Sequence, residues 1–93
     1  MRLDLWLSKV CLIKTRSQAK HGCASGKVLL NGAKVKESHL LRVGEELSIS
    51  FETRELRILV LDLPTRNVAK KDADRYYEIL SDESISAKRR LDI

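Results

Sequence analysis

Apolar residues at the start of the chain recur in steps of three and four. Leu3, Trp6, Leu7, Val10 and Ile13 fall on one stripe of a predicted first helix. Asp4 sits in its first turn, where a carboxylate meets the positive end of the helix dipole. Thr15-Arg16-Ser17-Gln18 has the capping-box pattern and predicts the start of a second helix. Ala19 and Cys23 face inward from it, and Gly26 is placed to end it in the left-handed conformation. Gly22 weakens that helix by about 1 kcal/mol relative to alanine, so it depends on tertiary packing. The period then changes to two. Short β-prone runs at residues 28–30 and 33–35 flank Asn31-Gly32, a hairpin signal because both turn residues need positive φ. Gly44 marks another turn, after which Leu47, Ile49 and Phe51 alternate with Ser48 and Ser50, a half-buried strand. Residues 52–55 form a polar turn, residues 56–61 a further strand, and Pro64 stops it. Asn67 can cap a last helix whose inner stripe is Ala69, Ala73, Tyr77 and Leu80. The order predicts an α+β fold, two helices packed on a small antiparallel sheet with a short C-terminal helix. The expected division is a main domain over 1–63, a helical extension over 64–81, and a flexible polar tail over 82–93.

Composition narrows the class. The 93 residues, 43% of them hydrophobic, suit one small domain that folds alone. No apolar run approaches a membrane span, and RLDLWLSK carries charge too early for a signal peptide, so a cytoplasmic location without membrane contact is expected. Cys11 and Cys23 are twelve apart with no CxxC, which indicates neither a disulfide framework nor a zinc knuckle. Cys11, His21, Cys23 and His39 match no zinc-finger spacing. The two cysteines read better as small apolar residues beside the helix cores. No triad spacing or Gly-rich phosphate loop is present, so no catalytic residue, metal or cofactor is expected.

Charge changes the picture. The formal net charge is +5, but residues 1–36 hold eight basic residues and one acidic, whereas residues 37–93 hold ten and twelve. Residues 5–36 contain no aspartate or glutamate at all. Taken singly, each of these lysines is accounted for as a solubilising charge. Taken together they are not, because a solvated face normally interleaves both signs. Lys14 and Arg16 flank the start of the second helix, where unpaired N–H groups and the dipole favour an anion, and Ser17 lies in that first turn. Lys20 is one turn on from Arg16. Lys27 follows the helix, and Lys34 and Lys36 share one face of the hairpin's returning strand by period two. Asn31 and Gly32 shape the hairpin tip. Such a surface can track a phosphate backbone. Arg2 either joins it or orients the first helix, while Asp4 reads as structural because a carboxylate repels phosphate. Trp6 and Tyr77 fall on inner stripes and read as core. Tyr76 is the aromatic expected to be exposed.

These residues carry a resemblance. Arg2-Leu3-Asp4-x-x-Leu7, Lys14-Thr15-Arg16-Ser17-x-Ala19, Gly26-x-Val28-x-x-Asn31-Gly32 and Val43-Gly44-Glu45-x-Leu47 occur in order, and together they resemble the S4 RNA-binding domain. The resemblance implies the alpha-L motif of that family, with RNA met by the helix–turn–hairpin surface. The RNA-binding residues it implies, together with the charge pattern, are Arg2, Lys9, Lys14, Arg16, Ser17, Lys20, Lys27, Asn31, Lys34 and Lys36. The chain looks like the free-standing heat-shock S4 proteins. Lys70-Lys71-Asp72-Ala73 leading to Tyr76-Tyr77-Glu78-Ile79-Leu80 is similar to their shorter relatives in bacterial ribosome quality control. That implies a non-catalytic monomer binding rRNA and tRNA on the large ribosomal subunit with peptidyl-tRNA, in support of a factor that tails the stalled chain. The alternatives are a general structured-RNA binder, an accessory subunit of an RNA-modifying enzyme, or a protein-contact domain using Leu5 and Leu12. The chain departs from the family at Leu5 and Cys11, where basic residues are usual.

Overall fold

The computed structural model describes residues 1–84. Helix α1 spans Leu3–Lys9 and α2 spans Arg16–Ala24. Five strands follow, β1 (Val28–Leu30), β2 (Ala33–Lys34), β3 (Glu46–Ser50), β4 (Arg54–Val60) and β5 (Tyr77–Ser84), with a 3-10 helix at Lys70–Arg75 before the last. All pairings are antiparallel, in the order β2-β1-β3-β4-β5. Alternation selects the covered face: Leu47 and Ile49 of β3 and Leu56, Ile58 and Val60 of β4 are buried. They join Leu3, Trp6, Leu7, Val10, Ala19 and Cys23 from the helical side in one core. The opposite face carries polar groups, including the Arg57–Glu46 ion pair at 3.0 Å.

The turn chemistry explains the first half. Thr15 caps α2 by accepting the Gln18 N–H at 3.1 Å. Asn31 and Gly32 both hold positive φ, 49° and 83°, as the hairpin required. Both helices end in Schellman motifs. In α2 the Gly26 N–H reaches the Cys23 carbonyl and the Lys27 N–H the Gly22 carbonyl, with Gly26 left-handed at φ 78°. In α1 the same pair of bonds runs from Cys11 to Ser8 and from Leu12 to Leu7, so a cysteine occupies the left-handed position at φ 62°. That explains why α1 stops at Lys9, although the apolar stripe continues to Ile13. It also corrects Cys11, which is exposed rather than packed beside a helix core; Cys23 is buried as expected. A β-carbon in that conformation costs about 1–2 kcal/mol. Cys11→Gly is therefore expected to raise stability by about 1 kcal/mol, or roughly 4–8 °C in Tm. A thermal melt in which the variant unfolds earlier would contradict the motif.

The C-terminal segment differs from expectation. The short helix is a 3-10 segment, and the inner stripe of Ala69, Ala73, Tyr77 and Leu80 does not form. Ala73 alone is buried, and Leu80 is 44% exposed. From Tyr77 the chain is extended and pairs along β4, with a bulge between Arg57 and Ile58 that accommodates Leu80. Tyr76-Tyr77-Glu78-Ile79-Leu80 fits either period over so short a run, and satisfying the open edge of β4 decides for strand. Tyr76, expected to be exposed, packs against the core with Tyr77. Trp6 lies beneath them, fully buried, with its Nε1–H donating to the Asp62 carbonyl at 3.0 Å. Residues 82–84 belong to β5; the rest of the expected polar tail lies outside the described residues.

Candidate nucleic-acid interface

The first turn of α1 has no side-chain cap. Two of its N–H groups are satisfied by a loop: Leu3 donates to the His39 carbonyl at 2.8 Å and Asp4 to the Glu37 carbonyl at 3.1 Å. Arg2 forms a bridge with Leu40, which fixes the chain entering the helix. The loop is itself held by Glu45, whose carboxylate meets His39 Nε2 at 3.2 Å and accepts the Arg42 N–H at 2.6 Å.

Asp4 is the group that sequence reasoning undervalued. It is 4% exposed, and its Oδ1 accepts the Leu5 N–H at 2.8 Å. Arg2 Nε and Nη2 each reach the carboxylate at 3.3 Å, and Arg16 Nη2 lies 3.5 Å from Oδ2. One buried carboxylate thus clamps two half-exposed arginines from different elements. An arginine held in this way has less rotamer freedom to lose when it meets a phosphate. The signal was present in the sequence, since Asp4 is the single acid among the first 36 residues. Asp4→Asn removes the charge that balances two guanidinium groups while keeping the shape. It is expected to cost roughly 2 kcal/mol of stability, readable as a shift of the urea midpoint at unchanged slope. No shift would show that the clamp carries no energy.

From Arg16 a row continues along α2. Arg16, Lys20 and Ala24 are spaced by four and therefore share one flank. Ala24 borders a depression also lined by Lys34 and Lys36, so the hairpin cations meet the end of this row. The Lys34 stem passes over Gly26, where a β-carbon would lie 3.4 Å from Lys34 Cε. Arg2, Arg16, Lys20, Lys34 and Lys36 thus form one track along a helix of about 13 Å. Glu37 borders the same depression, and its carbonyl accepts the Asp4 N–H, so one carboxylate lies beside the track.

Lys27 is not on this track. It borders a groove with Gln18 and Gly22, on the flank of α2 about 160–200° from Lys20. Lys14 lines that groove and also a depression between the helices, with Lys9 and Arg16, so it stands at the corner between the two flanks. Lys9 Nζ donates to Asn67 Oδ1 at 3.3 Å. Ser17 is exposed in the first turn of α2. Asn31 serves the fold: its Oδ1 accepts the Glu46 N–H at 3.1 Å, and its own N–H donates to the Glu46 carbonyl at 2.8 Å. Lys70, which charge reasoning on the first third left out, borders a depression with Lys14 and Cys11.

The cysteines carry no catalytic signature. Burial, with Glu37 and Asp4 nearby, pushes the Cys23 thiol up to about 11, so it stays protonated at neutral pH. Among the described residues no group of three or more His, Cys, Asp or Glu side chains is placed to hold a metal ion. None of the described helices is long and apolar enough to cross a membrane.

Known proteins resemble this chain over most of its length. Residues 1–47 match the S4 domain. The chain is 34% identical over 86 residues to the "RQC P-site tRNA stabilizing factor" of Halalkalibacterium halodurans, covering 92% of this chain and 97% of that protein. It is 32% identical over 93 residues to the "Heat shock protein 15 homolog" of Haemophilus influenzae, covering all of this chain and 69% of that one. A trimeric structure of Vibrio cholerae heat shock protein 15 superposes with a TM-score of 0.81 at 27% identity, over 98% of this chain and 91% of that one. With two short helices against a small antiparallel sheet, and with residues 1–47 matching its family model, the chain belongs to the S4 domain family.

Proposed function

We propose that this protein binds structured RNA without catalysing a reaction, and that its targets are tRNA and large-subunit rRNA on ribosomal subunits still carrying peptidyl-tRNA, in ribosome quality control. The observation that carries the proposal is the row from Arg2 and Arg16 through Lys20 to Lys34 and Lys36. Arg16 and Lys20 share one flank of α2, Arg2 is tied to Arg16 through Asp4, and the hairpin lysines border the depression beside Ala24, an arrangement suited to tracking a ribose-phosphate chain. A-form RNA hides most base edges, so recognition rests on phosphate spacing, shape and the 2′-hydroxyls. The naming of several relatives for stabilising a P-site tRNA supports the ribosomal address. A monomer working in the cytoplasm beside a tailing factor belongs to the same proposal. So does the reading of residues 1–63 as the RNA-binding unit, with an extension from residue 64.

Crosslinking in cells, followed by sequencing of the attached RNA, tests it. Reads should concentrate on large-subunit rRNA and tRNA. Reads spread evenly over unrelated structured RNAs would favour a general binder and reject the ribosomal address.

A further inference from the structure

The depression between α1 and α2 has a second wall that does not belong to the cationic row. Asn67 and Val68, from the segment after Pro64, close it opposite Lys14 and Arg16, and Leu5 and Cys11 contribute an uncharged floor. Its volume of about 390 Å³ lies within the range of roughly 300–1,000 Å³ usual for small-ligand sites. Both positions at which this chain departs from the basic residues expected of an S4 domain, Leu5 and Cys11, face this one space. A long cationic side chain at either would fill it.

We infer that this depression receives one unstacked nucleotide of the bound RNA, its base between Leu5 and Val68 and its phosphate against Lys14 and Arg16. The chemistry is divided accordingly. Leu5 and Val68 offer apolar surface to a base face. The guanidinium of Arg16, held from behind by Asp4 at 3.5 Å, offers a plane that stacks or pairs with phosphate. Asn67 is fixed by Lys9 at 3.3 Å and presents a carboxamide to a base edge. The C-terminal segment thus takes part in RNA contact, a role that a purely phosphate-tracking surface would not give it. This inference rests on the RNA-binding reading above.

Cys11 is a built-in reporter. It is exposed and lines the depression, whereas Cys23 is buried and its thiol protonated, so alkylation of the native protein follows Cys11. The test uses the full chain with two RNA hairpins, identical except that one carries a single unpaired adenosine. Binding is measured by fluorescence anisotropy and Cys11 modification by iodoacetamide under mass spectrometry. The bulged hairpin should bind about tenfold tighter and slow Cys11 alkylation about tenfold, while the paired one leaves that rate within about twofold. Val68→Ser, which removes apolar surface without adding charge, should bring the two affinities together. Equal binding of both hairpins with Cys11 freely alkylated in each complex overturns the nucleotide site and leaves RNA binding standing. Failure of both hairpins to bind overturns the RNA-binding reading, and the site with it.

Discussion

Lys14→Glu combined with Lys20→Glu is expected to weaken binding to an rRNA fragment by roughly 100-fold near physiological salt, about 2.7 kcal/mol, with Tm moving by only a few degrees. Each lysine is exposed, and neither makes an ion pair among the described residues. Their reversal therefore disturbs no internal contact, and unfolding should be nearly unaffected. Lys20 is in the middle of the row and Lys14 at its corner, so two separate points of phosphate contact turn repulsive. Arg16 is the poorer choice for reversal. A glutamate there would face the buried Asp4 carboxylate and confuse lost binding with lost stability. Affinity within about threefold of the parent, in a variant that melts normally, would remove α2 from the interface.

Trp6→Ala is expected to be the most damaging single substitution for stability, at about 3–5 kcal/mol. A chain of this length has roughly 5–14 kcal/mol in total, so a large share is lost at one position. The indole is fully buried, donates to the Asp62 carbonyl at 3.0 Å, and meets the Tyr77 ring edge-on at 6.4 Å between centroids. Those contacts come from the segments entering and leaving the β4–β5 connection, so the substitution also loosens the C-terminal wall beside α1. Trp6→Phe keeps most of the ring and loses the donor, and should cost roughly 1–2 kcal/mol. Urea unfolding followed by circular dichroism separates the two. A loss below about 1 kcal/mol for the alanine variant would mean that the C-terminal segment holds itself in place.

Local rules made the first half of the fold legible. The capping pattern at Thr15, the glycine at 26 and the Asn31-Gly32 turn each demand a particular backbone conformation, and each is present. The end of α1 was not legible, because a cysteine stands where glycine would have announced a left-handed turn. Nor was the last strand. Residues 76–80 carry an apolar pattern short enough for either period, and the deciding partner, the edge of β4, lies some twenty residues earlier in the chain. The candidate site divides in the same way. The i, i+4 spacing of Arg16 and Lys20 put them on one flank from sequence alone. Lys27 went to the other flank because Gly26 turns the chain after α2. The joint hold of Asp4 on Arg2 and Arg16 depends on how two helices pack, which no local pattern encodes.

The most direct measurement is the affinity for a large-subunit rRNA fragment as a function of salt concentration. If about four cations of the row neutralise phosphates, the logarithm of the affinity should fall linearly against the logarithm of salt, with a slope near −3 to −4. Removing Lys20 should make that slope shallower by about one. An affinity indifferent to salt, or no measurable complex even in dilute buffer, would mean that these cations hold no RNA.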